Sequence, residues 1–228
     1  MTQNRFRITT VAAIVLLLII LVLIMVFTLT GVVPKESFSV EGFKVVIDAS
    51  HGLPDKGLVG EITGKKESNY NLYTAQVLES RLNEMGVATV MTRKDSNALS
   101  DTRQDDLALR KRIITTNAPD AAISFEIGYR EDKTFEGPQV YYSPSSEKGR
   151  ILAEAVQEKL NEEFKIAGRK AESREEFITN AGDIPVIVIE YGNFSNPEDE
   201  LLLRKKNYRM RVAGAVIRGL EAYAEAGN

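Results

Sequence analysis

The chain has 228 residues, a formal charge of −3, one histidine and no cysteine. That length suffices for one domain with a proper core, and the mild acidity gives no reason to expect a nucleic-acid partner. Without cysteine there is no disulfide framework, no thiolate nucleophile and no cysteine-ligated zinc.

Residues 1–33 differ from everything that follows. Val11 to Phe27 is an unbroken apolar run, extended by Leu29, Val32 and Val33. About twenty such positions cross a bilayer at ~1.5 Å per residue. Arg5 and Arg7 precede the run, so the positive-inside rule puts the N-terminus in the cytoplasm and the remainder outside. The run exceeds the apolar core of a signal peptide, and Thr28 to Pro34 offers no small-residue cleavage site. An uncleaved membrane anchor over residues 11–33 is therefore expected, in a single-pass protein of the cell membrane. Residues 34–42 read as a linker, and residues 43–228 as one extracytoplasmic domain.

That domain opens with Val45-Val46-Ile47-Asp48, an apolar run ending in an acid, followed by Ala49-Ser50-His51-Gly52. Such a run reads as a strand buried on both faces. Gly52 to Lys66 is glycine-rich and reads as a loop. A helix begins near Ser68 or Asn69, carries Leu72, Ala75, Leu78, Leu82 and Met85 at helical spacing, and stops at Gly86. Val87 to Thr92 is the next strand. A helix with Leu107, Leu109, Ile113 and Ile114 follows, then a third buried strand from Ala121 to Phe125 that ends at Glu126. Gly128 to Pro138 is a charged loop, Gln139 to Tyr142 a short strand, and Ser146 to Phe164 a long helix. Residues 168–182 are polar and carry no periodicity. Pro185 to Gly192 is the most apolar strand of the domain and again contains a carboxylate, Glu190. Asn196-Pro197 opens a helix, and Val212, Val216, Ile217, Leu220 and Tyr223 mark the last one. Strands alternating with helices predict an α/β fold: a single domain with a largely parallel or mixed central sheet flanked by helices, preceded by one transmembrane helix.

In open α/β sheets, ligands gather beyond the carboxyl ends of the strands. His51, Glu126 and Glu190 all fall there, and Glu67 lies at a helix start beside them. Carboxylates gathered without basic partners repel, and a divalent cation relieves the repulsion. The alternative is that each acid simply ends its strand in water.

Ile47-Asp48-Ala-Ser-His51-Gly52, followed by Lys66-Glu67-Ser-Asn-Tyr-Asn71-Leu72, resembles the opening of the zinc-dependent N-acetylmuramoyl-L-alanine amidases of the amidase-3 type. Met91-Thr92-Arg93, Ile123-Ser124-Phe125-Glu126 and Pro185-Val-Ile-Val-Ile-Glu190-Tyr-Gly-Asn-Phe-Ser195-Asn196-Pro197 match later blocks of that family in order. An anchor with no wall-binding repeats looks most like the membrane-anchored amidases of spore-forming bacteria. The resemblance implies that His51 and Glu67 are zinc ligands and that Glu190 is the general base and acid. It implies that Asp48 supports His51 from behind, and that the substrate is peptidoglycan, cut between N-acetylmuramic acid and the L-alanine of the stem peptide.

The match breaks at the third ligand. The family has histidine there; this chain has Glu126 and no second histidine. A set of His51, Glu67 and Glu126 is harder and more anionic, which shifts preference from Zn²⁺ towards Mn²⁺ or Mg²⁺. Ala49-Ser50 and Leu53 also stand where the family has Pro-Gly and Gly, so a changed turn is expected. Two readings stay open. One is a working amidase with a variant metal site. The other is a catalytically degenerate homologue, acting as a membrane-tethered peptidoglycan- or protein-binding domain. The loop between Glu126 and Gln139 is too short for an inserted inhibitory helix, so no built-in plug is expected, and a separate activator protein stays open as a partner.

Overall fold

The computed structural model describes residues 15–19 and 38–227. The chain divides into two compact units, residues 1–36 and 37–228. In the first, residues 15–19 are helical and exposed. The remainder of the expected anchor lies outside the described residues, and among the described residues no helix is long and apolar enough to cross a membrane.

The second unit is an α/β domain. Its elements run β1 Lys44–Ala49, α1 Glu67–Glu84, β2 Ala88–Met91, α2 Arg103–Asn117, β3 Ala121–Gly128, β4 Gln139–Tyr142, α3 Glu147–Phe164, β5 Glu172–Ser173, β6 Val186–Asn193, α4 Pro197–Leu203 and α5 Lys206–Ala226. The six strands form one sheet in the order β2-β1-β3-β6-β4-β5. β2, β1, β3 and β6 are mutually parallel, and β4 runs antiparallel to β6. The sheet is therefore mixed and mostly parallel.

The helix boundaries follow local chemistry. Thr102 and Ser146 accept the Asp105 and Gly149 amides as N-caps of α2 and α3, and Asn196 accepts those of Glu198 and Asp199 with Pro197 in the first turn of α4. Each supplies an acceptor to amides that have no partner inside the helix. α1 begins at Glu67 and not after it, with Lys66 as an N-cap that makes no side-chain bond.

Alternation along the strands divides the core in two. Val45, Ile47 and Ala49 of β1, Ile123, Phe125 and Ile127 of β3, and Ile187, Ile189 and Tyr191 of β6 join the larger cluster with α1, α3 and α5. Val46, Ala122, Val186 and Val188 face the other way, towards Ile114 of α2, Tyr141 and Ile178. The same alternation sends Asp48, Ser124, Glu126 and Glu190 to this second, α2-covered face.

The helix α2 uses only part of the stripe that its leucines and isoleucines suggest: Ile114 joins the core and Leu107 packs against it. Its buried residues are Asp106, Arg110 and Ile114, while Leu109 is exposed. Arg110 Nε bonds Asp106 at 3.0 Å, and Nη1 bonds Asp48 at 2.8 Å. The helix thus seats an ion-pair triad against β1, one turn apart on a single face.

Candidate functional site

The site lies at the carboxyl ends of β1, β3 and β6. His51 follows β1 in a tight turn and adopts φ 62°, a left-handed conformation that costs a non-glycine residue of order 1 kcal/mol. The sequence departures at Ala49, Ser50 and Leu53 are not where the positive φ falls; among the residues of this turn only His51 takes one. Two glycines hold the turn in place. A Cβ on Gly52 would lie 2.5 Å from the Ala98 nitrogen, and one on Gly57 would meet Glu67 Oε2 at 2.7 Å and the His51 ring at 2.9 Å.

His51 Nδ1 bonds Asp55 Oδ2 at 2.8 Å. Burial pulls Asp55 up, but the hydrogen bonds from His51 and the Gly57 amide and the nearby charges of His51 and Arg103 outweigh it, leaving its pKa below the usual carboxylate value. An ionised Asp55 can only accept, so Nδ1 donates to it and Nε2 is the nitrogen turned to the site. Asp55 thus orients the imidazole, the part the resemblance gave to Asp48. The carboxylate of Asp48 accepts instead from Thr92 Oγ1 and Ser124 Oγ, both at 2.7 Å, and from Arg110. It stands behind the turn as a structural ion pair.

His51 Nε2 and Glu67 Oε2 are 3.5 Å apart. Glu67 is buried, and its oxygens are well supplied with donors. Oε1 accepts from the Ile127 amide at 2.9 Å and Asn71 Nδ2 at 3.3 Å, and Oε2 from the Leu58 amide at 2.9 Å. Glu126 also faces this space: His51, Glu67 and Glu126 line one cavity of about 350 Å³ with Asp55 and Arg103. A second cavity of about 320 Å³ shares His51, Glu126 and Arg103, and adds Glu176, Phe177 and Arg110.

Glu126 and Glu190 are register partners on adjacent parallel strands. Glu190 Oε1 accepts from Arg174 Nη1 at 2.6 Å, and Oε2 from Arg130 Nη2 at 2.7 Å and Tyr141 Oη at 3.3 Å. Arg130 also bonds Tyr141, and Arg174 bonds Glu176. Glu126 fares differently. It accepts from Ser50 Oγ at 3.2 Å and lies 3.8 Å from Arg174. Burial first, then the charges of Glu176, Glu67 and Glu190, against the opposing pull of Arg174, leave its pKa pushed up to about 8.

A zinc ion needs three donors around one point. Two are in place: His51 Nε2 and Glu67 Oε2 are spaced like neighbouring ligands. Among the described residues, however, no three histidine, aspartate or glutamate side chains come close enough to hold a metal ion. Glu126 turns towards Ser50 and Arg174, and Glu190 is held by two guanidinium groups. The residues present do not fit a formed zinc centre.

The structure therefore brings His51 and Glu67 together and pairs Glu190 with Glu126, without closing the four into a single set. Asp55, Tyr141, Arg130 and Arg174 also make polar contacts to these residues, and sequence reasoning gave none of them a role in the site. Arg174 sits in the non-periodic stretch 168–182, and Arg130 in the charged loop after β3. The only prior signal for Asp55 was its place four residues from the single histidine.

Comparison with known proteins gives a consistent match. A family model described as N-acetylmuramoyl-L-alanine amidase, Amidase_3, matches residues 45–222. The probable cell wall amidase LytH of Staphylococcus epidermidis is 28% identical over 185 residues, covering 81% of this chain and 59% of the relative. LytH of Staphylococcus aureus is 26% identical over 193 residues, covering 84% of this chain and 62% of the relative. The chain thus spans about three-fifths of the length of these curated relatives. In fold it is similar to the CwlD amidase of Clostridioides difficile, solved in complex with the GerS lipoprotein: TM-score 0.76, 24% identity, 81% of this chain and 99% of that one. The catalytic domain of CwlV from Bacillus (Paenibacillus) polymyxa var. colistinus aligns with a TM-score of 0.71 at 24% identity, over 80% of this chain and 98% of that one.

Proposed function

We infer the function from one premise: the chain belongs to the N-acetylmuramoyl-L-alanine amidase family, whose model matches residues 45–222. It is a homologue of peptidoglycan amidases, and its substrate-facing rim is built on the same α/β sheet. The reading supported best is a wall-facing domain that binds peptidoglycan at the junction of glycan and stem peptide without hydrolysing it. One observation carries this. Both oxygens of Glu190, the residue expected to move the proton, accept hydrogen bonds from arginines, Arg174 at 2.6 Å and Arg130 at 2.7 Å. Charge-assisted bonds of that length are among the stronger ones in proteins, and they tie down the group that a hydrolase keeps free for water.

The apolar run over residues 11–33, with Arg5 and Arg7 before it, supports a tether that holds the domain outside the cytoplasmic membrane. A separate partner protein belongs to the same reading. The Clostridioides difficile CwlD amidase, alike in fold, is found with the GerS lipoprotein.

A second reading, hydrolysis of the amide between N-acetylmuramic acid and L-alanine, is favoured by the 3.5 Å approach of His51 Nε2 to Glu67 Oε2. It requires Glu126 to turn towards that pair and Glu190 to shed its arginines. The purified full chain, incubated with peptidoglycan sacculi, separates the two. Co-sedimentation without release of free amino groups, whether or not Zn²⁺ is added, is expected. Zinc-dependent release that disappears in Glu190→Gln would establish the hydrolase instead.

A further inference from the structure

Arg174 follows the two-residue strand β5, and its backbone amide donates to the Tyr142 carbonyl at 2.9 Å. That bond fixes the root of the side chain at the sheet edge. The guanidinium then lies over the Tyr141 ring, 3.6 Å from its centroid, in a cation–π contact. From there Nη1 reaches Glu190 Oε1 at 2.6 Å, Nη2 lies 3.8 Å from Glu126 Oε2, and Nε bonds Glu176. One planar cation thus faces carboxylates from three segments of the chain.

Glu126 and Glu190 stand side by side on parallel strands, about 4.8 Å apart in the hydrogen-bonding direction. Two carboxylates that close either keep a proton on one of them or take a positive charge between or beside them. A divalent ion can supply it, and so can a guanidinium, which stays charged at any working pH. Both cannot do so together. A metal ion held by Glu126 would lie a few ångströms from Arg174, in a partly dry site where like charges repel strongly.

We infer that Arg174 is the resident cation of this site, taking the electrostatic place of a metal ion and holding Glu126 away from His51 and Glu67. The inference rests on the reading of the domain as a metal-free member of its family. It adds that a single side chain keeps a latent donor set apart. With Arg174 neutralised, Glu126 loses the guanidinium that lies 3.8 Å from it, and a divalent ion can then join its carboxylate to His51 Nε2 and Glu67.

The test is a calorimetric Zn²⁺ titration of the full chain, comparing wild type with Arg174→Gln and Arg174→Lys. Wild type is expected to show no site tighter than about 10⁻⁵ M. Arg174→Gln is expected to gain one site roughly 100-fold tighter, and to lose it again when Glu126→Ala is added. Arg174→Lys keeps the charge but reaches one carboxylate at a time, so a gain of about 10-fold is expected. A stoichiometric wild-type zinc site overturns the inference, as does a folded Arg174→Gln with wild-type affinity. If circular dichroism shows that Arg174→Gln does not fold, the lysine variant decides: a gain supports the inference and no gain overturns it. Failure here is separable from failure of the proposed function. Sacculus binding without hydrolysis can hold while Arg174→Gln gains nothing, and hydrolysis by a zinc-free wild type would sink the binding reading while leaving Arg174 in its role.

Discussion

Glu126 and Glu190 are register partners on β3 and β6, and they meet opposite fates. Glu190 is clamped by Arg130 and Arg174, whereas Glu126 has a serine hydroxyl at 3.2 Å and a guanidinium no nearer than 3.8 Å. The sheet forces the two into proximity, and the limited supply of cations decides which one is served.

The consequence for Glu126 is a pH dependence of stability. Its folded pKa, about 8, lies above the ordinary carboxylate value of 4.5. Below pH ~4.5 it is protonated in both the folded and unfolded chain. Between ~4.5 and ~8 the unfolded chain ionises while the folded one holds its proton, so stability falls as pH rises through that window. Glu126→Gln removes this dependence. We expect it to stabilise the domain by of order 2 kcal/mol at pH 8 and by almost nothing at pH 4. Urea unfolding of both proteins across that range checks the slope.

The triad of Asp48, Arg110 and Asp106 is buried, so its partners cannot be removed one at a time without large cost. Arg110→Ala leaves two buried carboxylates without their cation and is expected to destabilise by about 3–5 kcal/mol. The triple variant Asp48→Asn, Asp106→Asn and Arg110→Met removes every charge of the triad and should cost clearly less. Denaturant midpoints give both numbers.

The orientation of His51 rests on Asp55. Because His51 is the only histidine, its ring nitrogens give one unambiguous pair of ¹⁵N signals. In the wild type at alkaline pH, the shifts should report a proton on Nδ1. Asp55→Ala should move the population towards the Nε2–H tautomer. Unchanged shifts would mean that the 2.8 Å contact does not orient the ring.

The loop that carries Leu58 to Glu67 is itself held from afar. Glu200, fully buried, accepts the Thr63 amide at 2.6 Å and the Ile62 amide at 3.0 Å. Glu200→Ala is expected to speed hydrogen exchange at Ile62 and Thr63 by at least ~10-fold, since those amides lose their acceptor. Exchange at Val46 and Ile187, deep in the sheet, should change only as far as global stability does.

Much of this architecture could be read from the chain. Apolar runs ending at Asp48, Glu126 and Glu190 mark the parallel strands and the rim that holds the candidate site, because burial on both faces leaves a continuous signature. Which face each acid takes was harder to see. A run such as Val45-Val46-Ile47 is apolar on both sides, so nothing in it says that Asp48 turns to α2 and away from His51. The helix α2 misled for the opposite reason: its buried face is ionic as well as apolar, and apolar periodicity finds Ile114 but not Asp106 and Arg110, although their four-residue spacing was visible. Arg174 lay furthest from reach. It meets Glu190 across 16 residues and Glu126 across 48, from a segment whose only regular structure is a two-residue strand.

That short strand has one more effect. β5 ends the sheet on one side, and both of its residues, Glu172 and Ser173, are exposed. A sheet border invites the backbone of any neighbouring molecule to dock along it. Here a visiting chain finds two residues to pair with, one of them negatively charged, so the border is too blunt to seed aggregation.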